Sequence, residues 1–300
     1  MTSRGRLGLL LLGLATASQA QEAAPAFART KTEAKLESGA LKEASGMATS
    51  SVNPGLLWLL NDSGSPPELF LTATNGDKRG KVTVDGVRNT DWEDLASFTL
   101  DGKPYLLISD TGDNGSQRQE CALHIVAEPA APKNGSKLEG KVPVAWSIRF
   151  RYEDGPRDCE AVSVDAKAGK ILLLSKRTDP PMLYELPLKP AKGGLQTAKK
   201  IGQLSKALPN GFPPMPYGTQ PTGMSITPDG SQAAVVTYSG AFVFPRRGKE
   251  SWAAAFARQP VKLPGHGLRQ AEAIAFSRDG KLIRITSEGA DAPIILYQRQ

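Results

Sequence analysis

The chain is short of sulfur and imidazole. Its 300 residues include two cysteines, Cys121 and Cys159, and two histidines, His124 and His266. Two thiols are too few for a disulfide framework, so a hydrophobic core must hold the fold. No CxxC and no Cys/His zinc spacing occurs, and nothing supports a zinc site. Aromatic residues make up only 6% of the chain, and no basic run is interleaved with them. That removes the footprint of a nucleic-acid surface, so no nucleic-acid partner is expected. Beyond the first twenty residues, no stretch is apolar enough to cross a bilayer, and no membrane span is expected. A GxSxG nucleophile elbow, a P-loop and a sustained 3.6-residue period are also missing.

What is present begins with a leader. MTSRGRLGLLLLGLATASQA has Arg4 and Arg6, an apolar run from Leu7 to Leu14, then Ser18 and Ala20 at a small-residue cleavage site. Residues 1–20 read as a secretory signal peptide cut near Ala20. An uncleaved anchor is the alternative, but the run is short for one. The mature chain, residues 21–300, is expected to be one soluble, monomeric domain, secreted or periplasmic. Losing Arg4 and Arg6 lowers the formal charge from +7 to about +5. That is a mild bias towards anionic surfaces or substrates.

The rest is a repeat. Five segments begin alike: EASGMATSS at Glu43, DWEDLASFT at Asp91, DCEAVSVD at Asp158, QPTGMSITPDG at Gln220 and QAEAIAFSRDG at Gln270. Second and third strand-like runs follow each, and a fourth follows all but the last. A spare strand at about residues 30–38 precedes the first repeat. Paired with the last repeat, it removes an open sheet edge. The expected fold is therefore all-β: a β-propeller of five four-stranded blades, its ring closed by the N-terminal strand. Six blades is the runner-up, with extra strands hidden in residues 122–157 or 186–219. A β-solenoid is weaker, because it leaves the spare strand unexplained.

In such repeats the start of the first strand and the end of the second share one end of the sheet. Aligning them gathers Ser45, Asp91, Glu93, Asp158, Glu160, Thr222 and Glu272 with Asp62, Asp110, Lys176, Tyr238 and Glu288. Asp91 and Glu93, at i and i+2, are expected on the same side of a strand. Two carboxylates about 7 Å apart repel by about 2 kcal/mol at an effective dielectric near 20. Protonation, pairing with Lys176 or Arg177, or a cation offsets that repulsion. Calcium suits a flexible set of oxygens. Glu93, Glu160, Glu272, Asp91 and Asp158 are the candidate metal ligands. Lys176, Arg177, Asp62, Asp110, Tyr238, His266 and Glu288 are the candidate ligand-binding residues. The alternative is structural: acids at strand starts cap turns and bond free amides.

Other features keep two readings. DTGDN at 110–114 is an acidic turn without the twelve-residue EF-hand spacing. His266, between glycines in LPGHGLRQ, is either an exposed loop histidine or a general base. Tyr217, Phe212 and Met215, in the proline-rich segment 205–221, either cover a ligand or fill a gap. Cys121 and Cys159 are expected to pair as a staple between neighbouring repeats.

The starts at Asp91 and Asp158, with AEAIAF around Glu272 and SEG at Ser287–Gly289, resemble the exported phytase-like and esterase-like propellers. More distantly they resemble calcium-dependent, gluconolactonase-type lactonase propellers. The resemblance implies an axial calcium that binds substrate oxygens, held by Glu93, Glu160, Glu272 and Asp110. Gln220, Thr222 and Ser45 stand where a fuller acidic ring needs carboxylates. Two activities follow as expectations. One is binding of a small anion or a cell-envelope protein at this face. The other is calcium-dependent hydrolysis of phosphate esters or lactones.

Overall fold

The computed structural model describes residue 1 and residues 26–30, 34–37, 39–205, 208–211 and 213–300. The expected signal peptide lies outside the described residues apart from Met1, and Phe212 lies outside them too. Two short strands open the chain, β1 (Phe27–Arg29) and β2 (Ala34–Lys35). Five antiparallel units follow. The first is β3 (Ala44–Thr49), β4 (Leu56–Asn61), β5 (Glu68–Ala73) and β6 (Lys78–Asp85). The second is β7 (Trp92–Leu100), β8 (Lys103–Asp110), β9 (Cys121–Ala127) and β10 (Lys141–Tyr152).

The third unit is β11 (Ala161–Asp165), β12 (Lys170–Leu174), β13 (Met182–Pro187) and β14 (Gln196–Gln203). The fourth is β15 (Pro221–Ile226), β16 (Gln232–Thr237), β17 (Gly240–Pro245) and β18 (Val261–Lys262), with helix α1 (Trp252–Phe256) before its last strand. The fifth is β19 (Ala271–Phe276), β20 (Leu282–Ser287) and β21 (Pro293–Arg299). Among the described residues the protein is all-β save for that one short helix. Among the described residues, 122–157 and 186–219 contribute no strands beyond those of the second and third units.

Local chemistry explains the units. Second strands such as LLWLLN and KILLL are buried on both faces, so they read as continuous apolar runs. The outer strand KRGKVTVD alternates buried and partly exposed positions, because only one of its faces meets the core. The β7–β8 turn uses Asp101 and Gly102, both at positive φ, which matches the twist of a two-residue hairpin.

Five apolar clusters fill the spaces between consecutive units. Trp58 and Leu71 of the first unit pack with Leu106 and Ile108 of the second. Similar seams join the second to the third, the third to the fourth and the fourth to the fifth. A last cluster joins Met47, Leu57 and Leu59 of the first unit to Ala273, Ala275 and Ile294 of the fifth. An N-terminal strand pairs with the last unit inside the expected 30–38, where β2 joins β21 at Ala34↔Ile294, and a second one lies just before it, where β1 pairs antiparallel with β21 at Phe27↔Arg299.

The first strand of each unit is a sheet edge, and its backbone groups need partners. Short hydroxyl side chains reach across to supply them. Ser97 Oγ donates to Thr49 O at 2.7 Å, and Thr49 Oγ1 donates to Phe276 O at 2.7 Å. Ile226 N donates to Ser163 Oγ at 3.0 Å, and Phe276 N donates to Ser225 Oγ at 3.1 Å. Gly46 and Gly223 permit this closeness. A Cβ on Gly46 meets Leu95 N at 2.7 Å, and one on Gly223 meets Glu272 O at 2.3 Å.

The expected cysteine staple is corrected. Cys121 and Cys159 are free, and both are buried in the seam between the second and third units. The Cys159 thiol instead points at Leu174 O, 3.4 Å away in its own unit. Burial pushes the Cys121 thiol up to about 12, which keeps it protonated.

Candidate functional site

Bulges aim the acids. The pairing of β3 with β4 skips Ser45, that of β7 with β8 skips Glu93, that of β15 with β16 skips Thr222, and that of β19 with β20 skips Glu272. A bulged residue leaves the ladder and its side chain is re-aimed. This replaces the expected i, i+2 alternation. Asp91 precedes β7, and its carbonyl accepts from Thr111 N and Gly112 N, each at 3.2 Å. Glu93 is the bulge residue, and Glu160 directly precedes β11.

Two groups of carboxylates result. Oxygens of Asp62, Asp91 and Glu93 lie within 4.8 Å of one another, and so do those of Glu93, Asp158 and Glu160. Glu93 belongs to both. Its Oε2 accepts from Ser45 Oγ at 3.2 Å. Gly112 closes over this pair, since a Cβ there falls 2.2 Å from Glu93 Oε1 and 2.5 Å from Asp91 Cγ. Burial raises the Glu93 carboxyl well above its usual range, and Glu160 adds to the rise. Burial also pushes Glu160 up to about 7, against the pull of Lys176. Asp91 is pushed up to about 6 by burial and then by Asp62.

A second chain of contacts adjoins the carboxylates. Lys176, itself buried, forms an ion pair with Glu160, and its Nζ donates to Tyr238 OH at 3.4 Å. Tyr238 OH donates to Glu272 Oε1 at 2.7 Å. Burial, then the charge of Glu160, pushes the Glu272 carboxyl up to about 9. Glu288 lies at the edge, its Oε2 accepting from Gln270 Nε2 at 2.5 Å.

Several predicted residues are committed elsewhere. Asp110 forms an ion pair with Arg118 at 2.7 Å. Asp158 accepts from Asp113 N at 2.9 Å and pairs with Arg177 Nε at 2.6 Å, so it is partly spent on structure. Asp113 accepts from Gln117 N and Arg118 N, which makes DTGDN a capped turn. His266 is a correction. It is buried rather than exposed, Leu268 N donates to its Nδ1, and its Nε2–H donates to Thr237 O. Burial lowers its pKa, and the neutral ring is a structural clip.

The carboxylate that was not assigned a role in the sequence is Asp94. It is fully buried where the first strands converge. Its Oδ2 accepts from Val162 N and Met224 N, each at 2.9 Å, and its Oδ1 accepts from Leu95 N at 2.8 Å. Burial raises its pKa while the three amides pull it down. Asp94 thus ties three units together beneath Glu93. Beyond it, a narrow cavity lined by Thr49, Ser97, Ser163 and Ser225 continues between the first strands. The signal in the sequence is a second acid, beside Glu93, at the start of an apolar strand.

No family model matches the chain, and no curated protein matches it. Among solved structures it is similar to hydrazine synthase of Kuenenia stuttgartiensis, at TM-score 0.44 and 11% identity, over 84% of this chain and 70% of that one. The likeness to phytase-like and lactonase-like propellers therefore rests on the short motifs alone. No helix among the described residues is long and apolar enough to cross a membrane.

Proposed function

We propose that the chain is an exported five-bladed β-propeller that binds calcium at the mouth formed by Asp62, Asp91, Glu93, Asp158 and Glu160, and an anionic ligand through it. The five seams and the β1–β21 pairing support the circular architecture. One observation carries the function: two groups of carboxylates, mostly buried, share Glu93. Like charges this close need protons, basic side chains or a bridging cation; Lys176 and Arg177 pair with Glu160 and Asp158, which leaves Asp62, Asp91 and Glu93 for a proton or a cation. Calcium accepts several oxygens in irregular geometry, which suits acids from three separate loops. Lys176 stands beside them, and its three-donor ammonium, which already bonds Glu160 and Tyr238, keeps a donor for an anion drawn to the metal. The proposed ligand is a small anion or an acidic partner at the cell envelope, and the proposed state is a monomer. Hydrolysis of a phosphate ester or lactone is the alternative. His266 is buried and engaged, so the one histidine proposed as a general base is not free to act as one, and this favours binding.

Thermal melts with and without calcium test this. Saturating calcium is expected to stabilise the wild type by about 3 kcal/mol at a hundredfold excess over Kd. Glu93→Gln/Glu160→Gln is expected to lose that stabilisation, and a double variant that keeps it removes the site. Gly112→Ala gives an independent check. The new methyl displaces flexible carboxylate ends rather than backbone. Calcium affinity is expected to fall about tenfold while the calcium-free melting temperature moves by only a few degrees. Calorimetry reads the first and a melt reads the second.

A further inference from the structure

We infer that Tyr217 and Arg177 form a shelf at the edge of the mouth that selects an anion carried on a ring with an apolar face, as in an aryl or sugar phosphate. This rests on the mouth being the ligand site. Tyr217 is 60% exposed, more than any other large apolar side chain among the described residues except Met1. Exposed aromatic rings are ordinarily mobile, but this one is mounted on a pinned loop. Asn210 Oδ1 accepts from Met215 N at 3.1 Å and from Ser239 Oγ at 2.6 Å, while Asn210 Nδ2 donates to Met215 O at 2.9 Å. Gly218 N donates to Met215 O, and Ser239 N donates to Gly218 O. Gly218 leaves no room for a side chain, because a Cβ there meets Ser239 Oγ at 2.1 Å.

Tyr217 itself sits at φ 58°, which an aromatic residue adopts only at a cost. The Arg177 guanidinium carbon lies 5.7 Å from its ring centroid, and Arg177 is also left-handed, at φ 59°. Arg177 Nε donates to Asp158 Oδ2 at 2.6 Å, and a terminal nitrogen donates to Asn114. The shelf is thereby tied to a carboxylate of the proposed calcium site. A guanidinium has five N–H donors, so this one retains capacity for an anionic oxygen. A pre-set ring with a face open to solvent loses little freedom when another ring stacks on it. Arg177 serves any anion alike, whereas the Tyr217 ring adds nothing for a bare anion and rewards one that brings a ring.

Calorimetry with inorganic phosphate, phenyl phosphate and glucose 6-phosphate, each in calcium and in EDTA, reads this selection. The wild type is expected to bind at least one ring phosphate about fivefold more tightly than inorganic phosphate. Whichever gains identifies an aryl or a sugar source. Tyr217→Ala is expected to bring the ratio close to one with its calcium isotherm unchanged, and Tyr217→Phe to keep the ratio. Equal binding of all three phosphates by the wild type overturns the shelf. So does the absence of any phosphate binding, or a ratio that survives Tyr217→Ala. A wild type without a calcium isotherm sinks the cation site separately, and the EDTA ratio still judges the shelf.

Discussion

Replacing Asp94 by alanine is expected to lower stability by about 4 kcal/mol, the largest effect of any single change at the mouth. The reason is the number of amides that lose their only partner. Leu95 N, Val162 N and Met224 N all converge on this one carboxylate. Each buried N–H left unmade costs about 1–3 kcal/mol. Some of that loss is recovered as water enters the narrow cavity beyond, and alanine also removes the cost of burying a carboxyl. For a domain of this size, such a loss lowers the melting temperature by roughly 10 °C. Asp94→Asn is expected to be milder, since its amide oxygen still serves one side while its NH2 faces donors. Equilibrium denaturation of both variants measures the difference. A loss under about 1 kcal/mol for Asp94→Ala would show that the three units are held by their seams alone.

Asp94 also shows where reading the sequence stops. The repeat was legible because each unit restates one plan: a short first strand, a doubly buried second strand, and a turn rich in Gly, Asn and Asp. LLWLLN, ILLL and AAVV state their burial directly. The gathering of Asp62, Asp91, Glu93, Asp158 and Glu160 followed from alignment of those units, and it places their oxygens together. What alignment does not carry is orientation. Simple alternation puts Asp91 and Glu93 on one side of a strand, whereas a bulge at Glu93 sends it to the mouth and leaves its neighbour Asp94 facing inward. A bulge changes the phase of a strand by one residue, and no letter in WEDLAS announces it.

His266 and the cysteines were misplaced for a related reason. Glycines on both sides suggest an exposed turn, but in three dimensions that turn folds under Thr237 O. Two thiols at neighbouring strand starts suggest a staple, but one of them faces back into its own unit. Mouth-side loops also hold four of the five described non-glycine residues at positive φ: Ser116, Arg177, Tyr217 and Asp291. Asp tolerates this region, but Ser, Arg and Tyr give no sign of it in the sequence, and the strain concentrates at the end of the molecule where the carboxylates lie.

The pH dependence of stability is the second large effect, and its sign depends on calcium. Asp91, Glu160 and Glu272 are pushed up to about 6, about 7 and about 9. In the unfolded chain such carboxyls ionise near pH 4. Their folded values are the higher ones, so the folded chain holds protons that the unfolded chain releases. The stability they contribute is full below about pH 4 and is lost as pH rises through the folded values. Calcium-free protein is therefore expected to lose about 5 kcal/mol or more between pH 5 and pH 9, mostly through Glu272, with the half-exposed Asp91 contributing least.

Calcium reverses the slope. It binds the ionised Asp91 and Glu160, so binding releases protons and tightens as those two titrate. Saturating calcium is expected to hold the melting temperature level, or raise it, from pH 5 to about pH 7, while the EDTA series falls. Glu272→Gln is expected to flatten the upper part of the EDTA series, because the group that titrates near 9 is gone. Two parallel series, falling alike with and without calcium, would mean that the carboxylates are relieved by protonation alone and that no cation replaces the protons they shed.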